Sequence, residues 1–377
     1  MIQPLMGVKV LDFSTLLPGP MCTLILAEAG ADVIKLERAA GDEMRSYVPR
    51  FGDDSVNFVL LNRGKRSVCM NLKDGGDREQ VLALVKDVDV LVEQFRPGVM
   101  QRLGLDYETL AQVNPRLIYC SITAYGQYGP KALKASHDLN FQAETGMLAL
   151  SADAGGAPIV PPALTGDLAA GAYPAVINIL LALRQRDLDG TGRHLDISMT
   201  DNLFTLMYWG LGNGWSGGQW PRPGKELVTG GSARYAVYRT SDQRYLSAAP
   251  LEDRFWTTFL TLIGASSLAG ESDEAVIQAE VARIIASQPA SYWMQRFEGH
   301  DVCVSEIVNL EQAVQDAHFQ VRGLFDREVT NNSGSSMPAL PVPVCTSFRS
   351  TQSNVAAPAL GEHTSEILGA ITGENTR

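Results

Sequence analysis

Hydrophobic and polar positions along the first 125 residues follow two alternating rhythms. Short apolar, β-branched runs at Val8–Phe13, Asp32–Leu36, Ser67–Leu72, Val88–Glu93 and Leu117–Thr123 have the length of strands. Between them, MCTLILAEAG (ending at Gly30), Asp77–Lys86 and Tyr107–Val113 have helical spacing. Strands separated by single helices predict an α/β class: a parallel sheet with helices on both faces.

Beyond residue 136 the pattern turns helical, over Leu139–Leu148 and Leu168–Arg184, followed by a strand and a helix in GTGRHLDISMTDNLFTLMYWGLGNG. Residues 212–233 are rich in Gly, Pro, Ser and Trp and lack a period, which reads as a linker or ligand loop. ARYAVYRT and RYLSAAP flank a hairpin turn. Helical stretches then cover 253–265, 272–287 and 290–298. DVCVSEIVNLEQAVQ adds a strand and a helix, and PVPVCTSF reads as a late strand. The expected division is a large unit over 1–200, a linker over 201–228, a small α+β unit over 229–325 and a tail over 326–377.

Charge changes the picture of partners. The 377 residues hold 42 acidic and 31 basic side chains, a net charge of -11 that argues against nucleic acid. The first 134 residues hold 16 of each and are neutral, so any anion site is expected there. Cys22, Cys69, Cys120, Cys303 and Cys345 have neither a disulfide-framework pattern nor metal-ligand spacing, which suits a reducing compartment. Neither a signal peptide nor an unbroken apolar span is recognisable, so the expectation is a cytoplasmic chain with no membrane partner.

Three groups of residues offer chemistry. Pro18-Gly19-Pro20 follows the first strand, where ligands meet parallel sheets, yet no G-x-G-x-x-G or phosphate-binding loop occurs, and a plain turn is the simpler reading. Lys35, Arg38, Arg45, Arg63, Lys65, Arg66 and Arg96 lie in loop-like surroundings, suited to phosphate or to ordinary surface pairs. His137, Asp138, Asp167 and Glu252 suit proton transfer, while Asp138 and Asp167 equally suit helix capping.

The segments PLMGVKVLDFSTLLPGPMCTLILAEAGADVIKLERAAGDEMR, LNRGKRSVCMNLK, VLVEQFRPGVMQRLGLDYETL, NPRLIYCSITAYGQYGP and GDLAAG follow in order over residues 4–171, within a likeness that covers nearly the whole chain. Together they resemble the family III CoA-transferase superfamily (CaiB/BaiF-like), most closely its α-methylacyl-CoA racemase branch. The resemblance implies a large Rossmann-like domain, a smaller domain, a carboxyl-terminal return to the large one, and an interlocked homodimer. It implies a CoA site at Arg38, Leu61, Asn62, Lys65, Arg96, Tyr125, Gly126 and Gln127. Charge and loop placement add Arg45 and Arg66.

Within ASHDLNF, His137-Asp138 matches the racemases' catalytic pair, where transferases carry Tyr-Asp. Asp167 matches an aspartate that both branches keep. GGSARYAVYRTSDQRYLSAAPLEDRFW matches a racemase segment ending in a catalytic glutamate, here Glu252. Ser136, Ala249 and Asp253 depart from the racemase pattern. The implied reaction is inversion of C2 in 2-methyl-branched acyl-CoA thioesters through an enolate, with backbone N–H groups near His137 or Asp167 as enolate donors. No metal or prosthetic group is implied, since CoA arrives as part of the substrate. The alternatives are a CoA-transferase acting through an aspartyl thioester at Asp167, and a non-catalytic CoA-binding protein.

Overall fold

The computed structural model describes residues 2–153, 155–331, 333–350, 352 and 354–372. Its main element is a six-stranded parallel sheet. The strands are β1 (Lys9–Asp12), β2 (Asp32–Glu37), β3 (Arg66–Cys69), β4 (Val90–Glu93), β5 (Ile118–Thr123) and β6 (Arg193–Ser198). They lie in the order β3-β2-β1-β4-β5-β6, with Val10 opposite both Val33 and Val90. Strand order therefore reverses between β1 and β4, which opens a crevice at their carboxyl ends.

The apolar runs exist because both faces are covered. On one face Leu11, Ile34, Val68, Leu91 and Tyr119 share a core with Val81, Leu84, Leu110 and Ile367. Those partners lie on helices Gly75–Val85, Tyr107–Val113 and Thr364–Thr372. Helices Pro18–Glu28 and Tyr173–Asp189 also pack on the sheet. The first begins at the crevice, where Gly19 is obligatory. A Cβ there would lie 2.1 Å from the Ser14 Cβ and 2.7 Å from Gln94 Oε1.

The chain forms two compact units: 1–145, 163–206 and 317–377 make the first, and 146–162 with 207–316 the second. The second holds a three-stranded antiparallel sheet of Ala236–Arg239, Tyr245–Ala248 and Val304–Glu306. Its core includes Tyr238, Leu246, Trp256, Phe259, Val281, Trp293 and Phe297. The tail supports the first unit at its β3 edge. His363 N–H donates to the Ser67 carbonyl (2.9 Å), and Cys69 N–H donates to Thr364 Oγ1 (3.0 Å). An otherwise open sheet edge is thereby covered.

Two sequence expectations fail. The linker expected over 201–228 is largely helical, in Met199–Leu206 and Tyr208–Gly217. Two of its glycines serve close packing: a Cβ at Gly214 would lie 2.5 Å from the Trp220 ring, and one at Gly210 3.0 Å from Pro221. PVPVCTSF forms no strand, since its prolines remove ladder donors. The late strands are Glu328–Thr330, Ser336–Pro338 and Asn354–Ala356.

One helical run, Thr165–Asp189, is long and apolar enough by length and composition to cross a bilayer. Asp167, Arg184 and Arg186 interrupt its apolar pattern, so no unbroken run marks it in the sequence. Ala170, Ala175, Ile179, Ala182 and Leu183 are buried, while Tyr173, Ile177, Leu180, Leu181 and Leu188 remain exposed. The helix is thus partly a core element of the first unit.

Candidate active site

The reversal crevice widens into a groove of about 390 Å³. Leu16–Pro18 after β1, Gln94–Pro97 after β4, and Ile122–Ala124 at the end of β5 supply its walls. His137 and Asp167 complete the lining from two separate helix starts.

His137 immediately precedes the helix Asp138–Glu144, in extended conformation, and its N–H donates to Asn140 Oδ1 at 3.0 Å. Its side chain is exposed. Asp138 is buried and ties the two helix starts together. Its Oδ1 accepts the Asp167 N–H at 3.0 Å, and its Oδ2 accepts Gln142 Nε2 at 2.6 Å. This approach requires Gly166, where a Cβ would lie 2.9 Å from Asp138 Oδ1. Asp167 itself is half-buried. Burial, and then the neighbouring Asp138 carboxylate, pushes its carboxyl up to about 7. A group poised there exchanges protons readily at neutral pH. Of the backbone N–H groups at this helix start, that of Asp167 is bonded to Asp138.

A second groove, of about 580 Å³, opens beside the first. Arg38, Lys73 and Arg102 line it with Glu37, Asp42 and Glu43 and with the apolar Leu36, Leu72, Leu103 and Phe95. Each acid already holds a cation, Glu37 with Arg45, Asp42 with Lys35 and Glu43 with Arg38. The remaining charge of Lys73 and Arg102 over the apolar floor therefore suits a phosphorylated adenosine, with charge for the phosphates and a flat surface for the base. Phe95 lines both grooves. Lys73 and Arg102 were missed although they lie in LNRGKRSVCMNLK and VLVEQFRPGVMQRLGLDYETL, because only folding brings them to the groove of Arg38.

Other nominated residues lie elsewhere. Leu61, Asn62 and Lys65 are buried. Lys65 Nζ bonds Asp12 Oδ2 (3.2 Å), the Pro20 carbonyl (3.0 Å), Thr23 Oγ1 (2.7 Å) and Asn62 Oδ1 (2.8 Å). Burial, opposed by Asp12, depresses its ammonium to about 8. These three residues support the start of the helix Pro18–Glu28 from within. Arg45 holds Glu37 through two 2.7 Å bonds and lies 3.7 Å over Phe58. Arg66 pairs with Asp32 (2.5 Å) and Glu366 (3.1 Å). Both are committed to protein partners.

Arg38 pairs with Glu43 at 3.1 Å but remains exposed. Arg96 is exposed at the first groove. Tyr125 bonds Ser136 Oγ (2.7 Å) and Glu144 Oε1 (3.0 Å). Gly126 takes φ +79° beside Asp196, whose carboxylate accepts the Gln127 N–H at 3.0 Å. None of these three lines either groove; Gln127 instead lines a separate cavity with Glu93 and His194. Glu252 belongs to the second unit, exposed at the start of the helix Asp253–Leu262. Among the described residues no cluster of His, Cys, Asp and Glu could hold a metal ion.

Comparison with known proteins covers the whole arrangement. A model of CoA-transferase family III matches residues 5–364. Alpha-methylacyl-CoA racemase of Mus musculus is 32% identical over 371 residues, 97% of this chain and 92% of the relative. Acetyl-CoA:oxalate CoA-transferase of Acetobacter aceti is also 32% identical, over 380 residues, 95% of this chain and 93% of the relative. The crystal structure of a CaiB/BaiF family protein from Brucella suis superposes with a TM-score of 0.83 at 28% identity, covering 98% of this chain and 100% of that one.

Proposed function

The chain belongs to CoA-transferase family III, and from that premise we propose that it is an acyl-CoA racemase acting on 2-methyl-branched thioesters. The observation that supports this reading is the convergence of His137 and Asp167 on one groove, beside a second groove lined by three cations. Family membership makes the chain an enzyme of this superfamily. Racemase and transferase relatives are equally similar, so the choice of reaction rests on the site.

In this reading the phosphorylated adenosine of CoA lies in the cationic groove, near Arg38, Lys73 and Arg102. The acyl end enters the other groove. A thioester acidifies its α carbon because the carbonyl takes up the developing charge as an enolate. One of His137 and Asp167 removes the C2 proton, and the other returns a proton to the opposite side, inverting the centre. Asp138 positions both helix starts through its 3.0 Å bond to the Asp167 N–H. Glu252, of this chain or of a second copy, assists His137, and the enzyme works as a homodimer. The exposed Tyr173, Ile177, Leu180, Leu181 and Leu188 stripe supports that assembly. No prosthetic group is needed for this proton chemistry.

The test is incubation of one 2-methylacyl-CoA epimer with the protein in D2O. Inversion with deuterium uptake at C2, without added acceptor acid, is the expected result, and His137→Ala should slow exchange by about a hundredfold or more. A second reading, CoA transfer through Asp167, is favoured by the Acetobacter relative. Transfer to an added carboxylate with no C2 exchange would replace the first reading by this one. A carboxyl half-protonated near pH 7 is better suited to acid–base work than to nucleophilic attack.

A further inference from the structure

The turn after β1 forms the partition between the two grooves. Thr15 lines the cationic groove, while Leu16 and Leu17 line the groove of His137 and Asp167. A CoA thioester occupying both has to cross this turn. Leu16 stands at φ +60°, a left-handed conformation that is strained for a bulky side chain.

Buried and half-buried side chains hold the turn in that shape. Lys35 Nζ donates to the Ser14 carbonyl at 2.7 Å, and Gln94 Nε2 donates to the Thr15 carbonyl at 2.5 Å. The Leu16 N–H donates to Asp42 Oδ1 at 3.3 Å. Lys35 and Asp42 meet at 2.9 Å with both side chains wholly buried. Asp42 also accepts the Met44 N–H at 2.9 Å, donates its own N–H to Glu37 Oε2 at 3.0 Å, and lines the cationic groove. A buried ion pair is a poor source of stability, because desolvation offsets much of the attraction. This pair, however, connects a strained turn to the loop that walls the neighbouring groove.

We propose that Lys35 and Asp42 are positioning residues that fix the Thr15–Leu17 partition and so set where a CoA-anchored acyl carbon stands relative to His137 and Asp167. The inference rests on reading the cationic groove as the CoA site. Misplacement of reacting atoms by about 1 Å can cost on the order of a hundredfold in rate, so the effect falls on turnover more than on anchoring.

The test is the double variant Lys35→Met with Asp42→Asn. It removes both charges together and keeps an acceptor for the Leu16 and Met44 N–H groups. Three readouts are needed: Leu16 amide exchange without ligand, calorimetric affinity for adenosine 3′,5′-bisphosphate, and the split between kcat and KM. Exchange at Leu16 should quicken about tenfold, and kcat should fall about tenfold, while bisphosphate affinity and KM stay within about threefold. Leu16→Gly provides a second route if the double variant does not fold. It leaves the buried contacts in place but frees the turn, and should lower kcat severalfold with cooperative unfolding retained. Unchanged kcat and exchange in a folded variant overturn the proposal. Parallel losses of kcat and bisphosphate affinity also overturn it, since they indicate general disruption. A wild-type protein that binds no bisphosphate refutes the CoA reading, while Leu16 exchange still decides the positioning role.

Discussion

Asp167 is half-buried with its own N–H bonded to the Asp138 carboxylate, and that neighbour adds to burial in holding its carboxyl at about 7. The unfolded chain releases this proton near the ordinary value of 3.8, so between those values the native state binds more protons. The stabilisation carried by the protonated form is full below about pH 4 and is lost as pH rises through about 7. Asp167→Asn should therefore match the wild type near pH 4 and be more stable at pH 8 by about 1–3 kcal/mol, discounted for partial solvation. Urea unfolding at the two pH values measures it; an equal difference at both would exclude the raised proton affinity. Glu93, held near 7 by burial, contributes a background of the same sign in both proteins. In the proposed reaction the same variant should show no C2 exchange.

Arginine placement is decided by elements. Arg45, Arg63 and Arg66 are drawn into pairs with Glu37, Glu28 and Asp32 because their strands and helix ends face acidic neighbours. Arg102 occupies the last turn of the helix Val99–Leu103, and Arg38 follows β2; both face the open cationic groove. Arg102→Ala and Arg38→Ala should each weaken CoA binding by about tenfold at low salt, whereas Arg66→Ala should change it less than about twofold. Titration calorimetry separates the cases; equal losses at Arg66 would count against the groove assignment. The junction of β1 with its following helix has no spare volume at Gly19. Gly19→Ala should cost about 1–3 kcal/mol of stability by overpacking against Ser14, visible as a lower urea midpoint with an unchanged slope.

At the scale of the molecule, the helix Tyr173–Asp189 has a buried face and an exposed apolar stripe. If a second copy covers the stripe, Leu181→Glu should shift the protein from dimer to monomer in analytical ultracentrifugation while leaving far-ultraviolet dichroism unchanged. A wild-type monomer, or a variant that stays dimeric, would rule out that surface. The strands of the main sheet were legible along the chain because burial on both faces leaves continuous apolar runs. His137 and Asp167 were candidates in the sequence, and folding brings them to one groove. The helical run through TLMYWGLGNG was legible, but the linker expected over 201–228 overlapped it, and Gly210 and Gly214 prove to make room for Pro221 and Trp220. Lys65 and Asn62 read as ligand-facing although their polar atoms turn inward onto Asp12 and one another. Local periodicity records which faces of an element are covered, so element types belong to the sequence. Strand order, the union of Arg38 with Lys73 and Arg102 and the proton affinity of Asp167 arise from groups distant in the chain, and the Lys35–Asp42 link from groups on a strand and the loop after it. Only tertiary packing brings those groups together, and it removes Lys35 and Asp42 wholly and Asp167 partly from water.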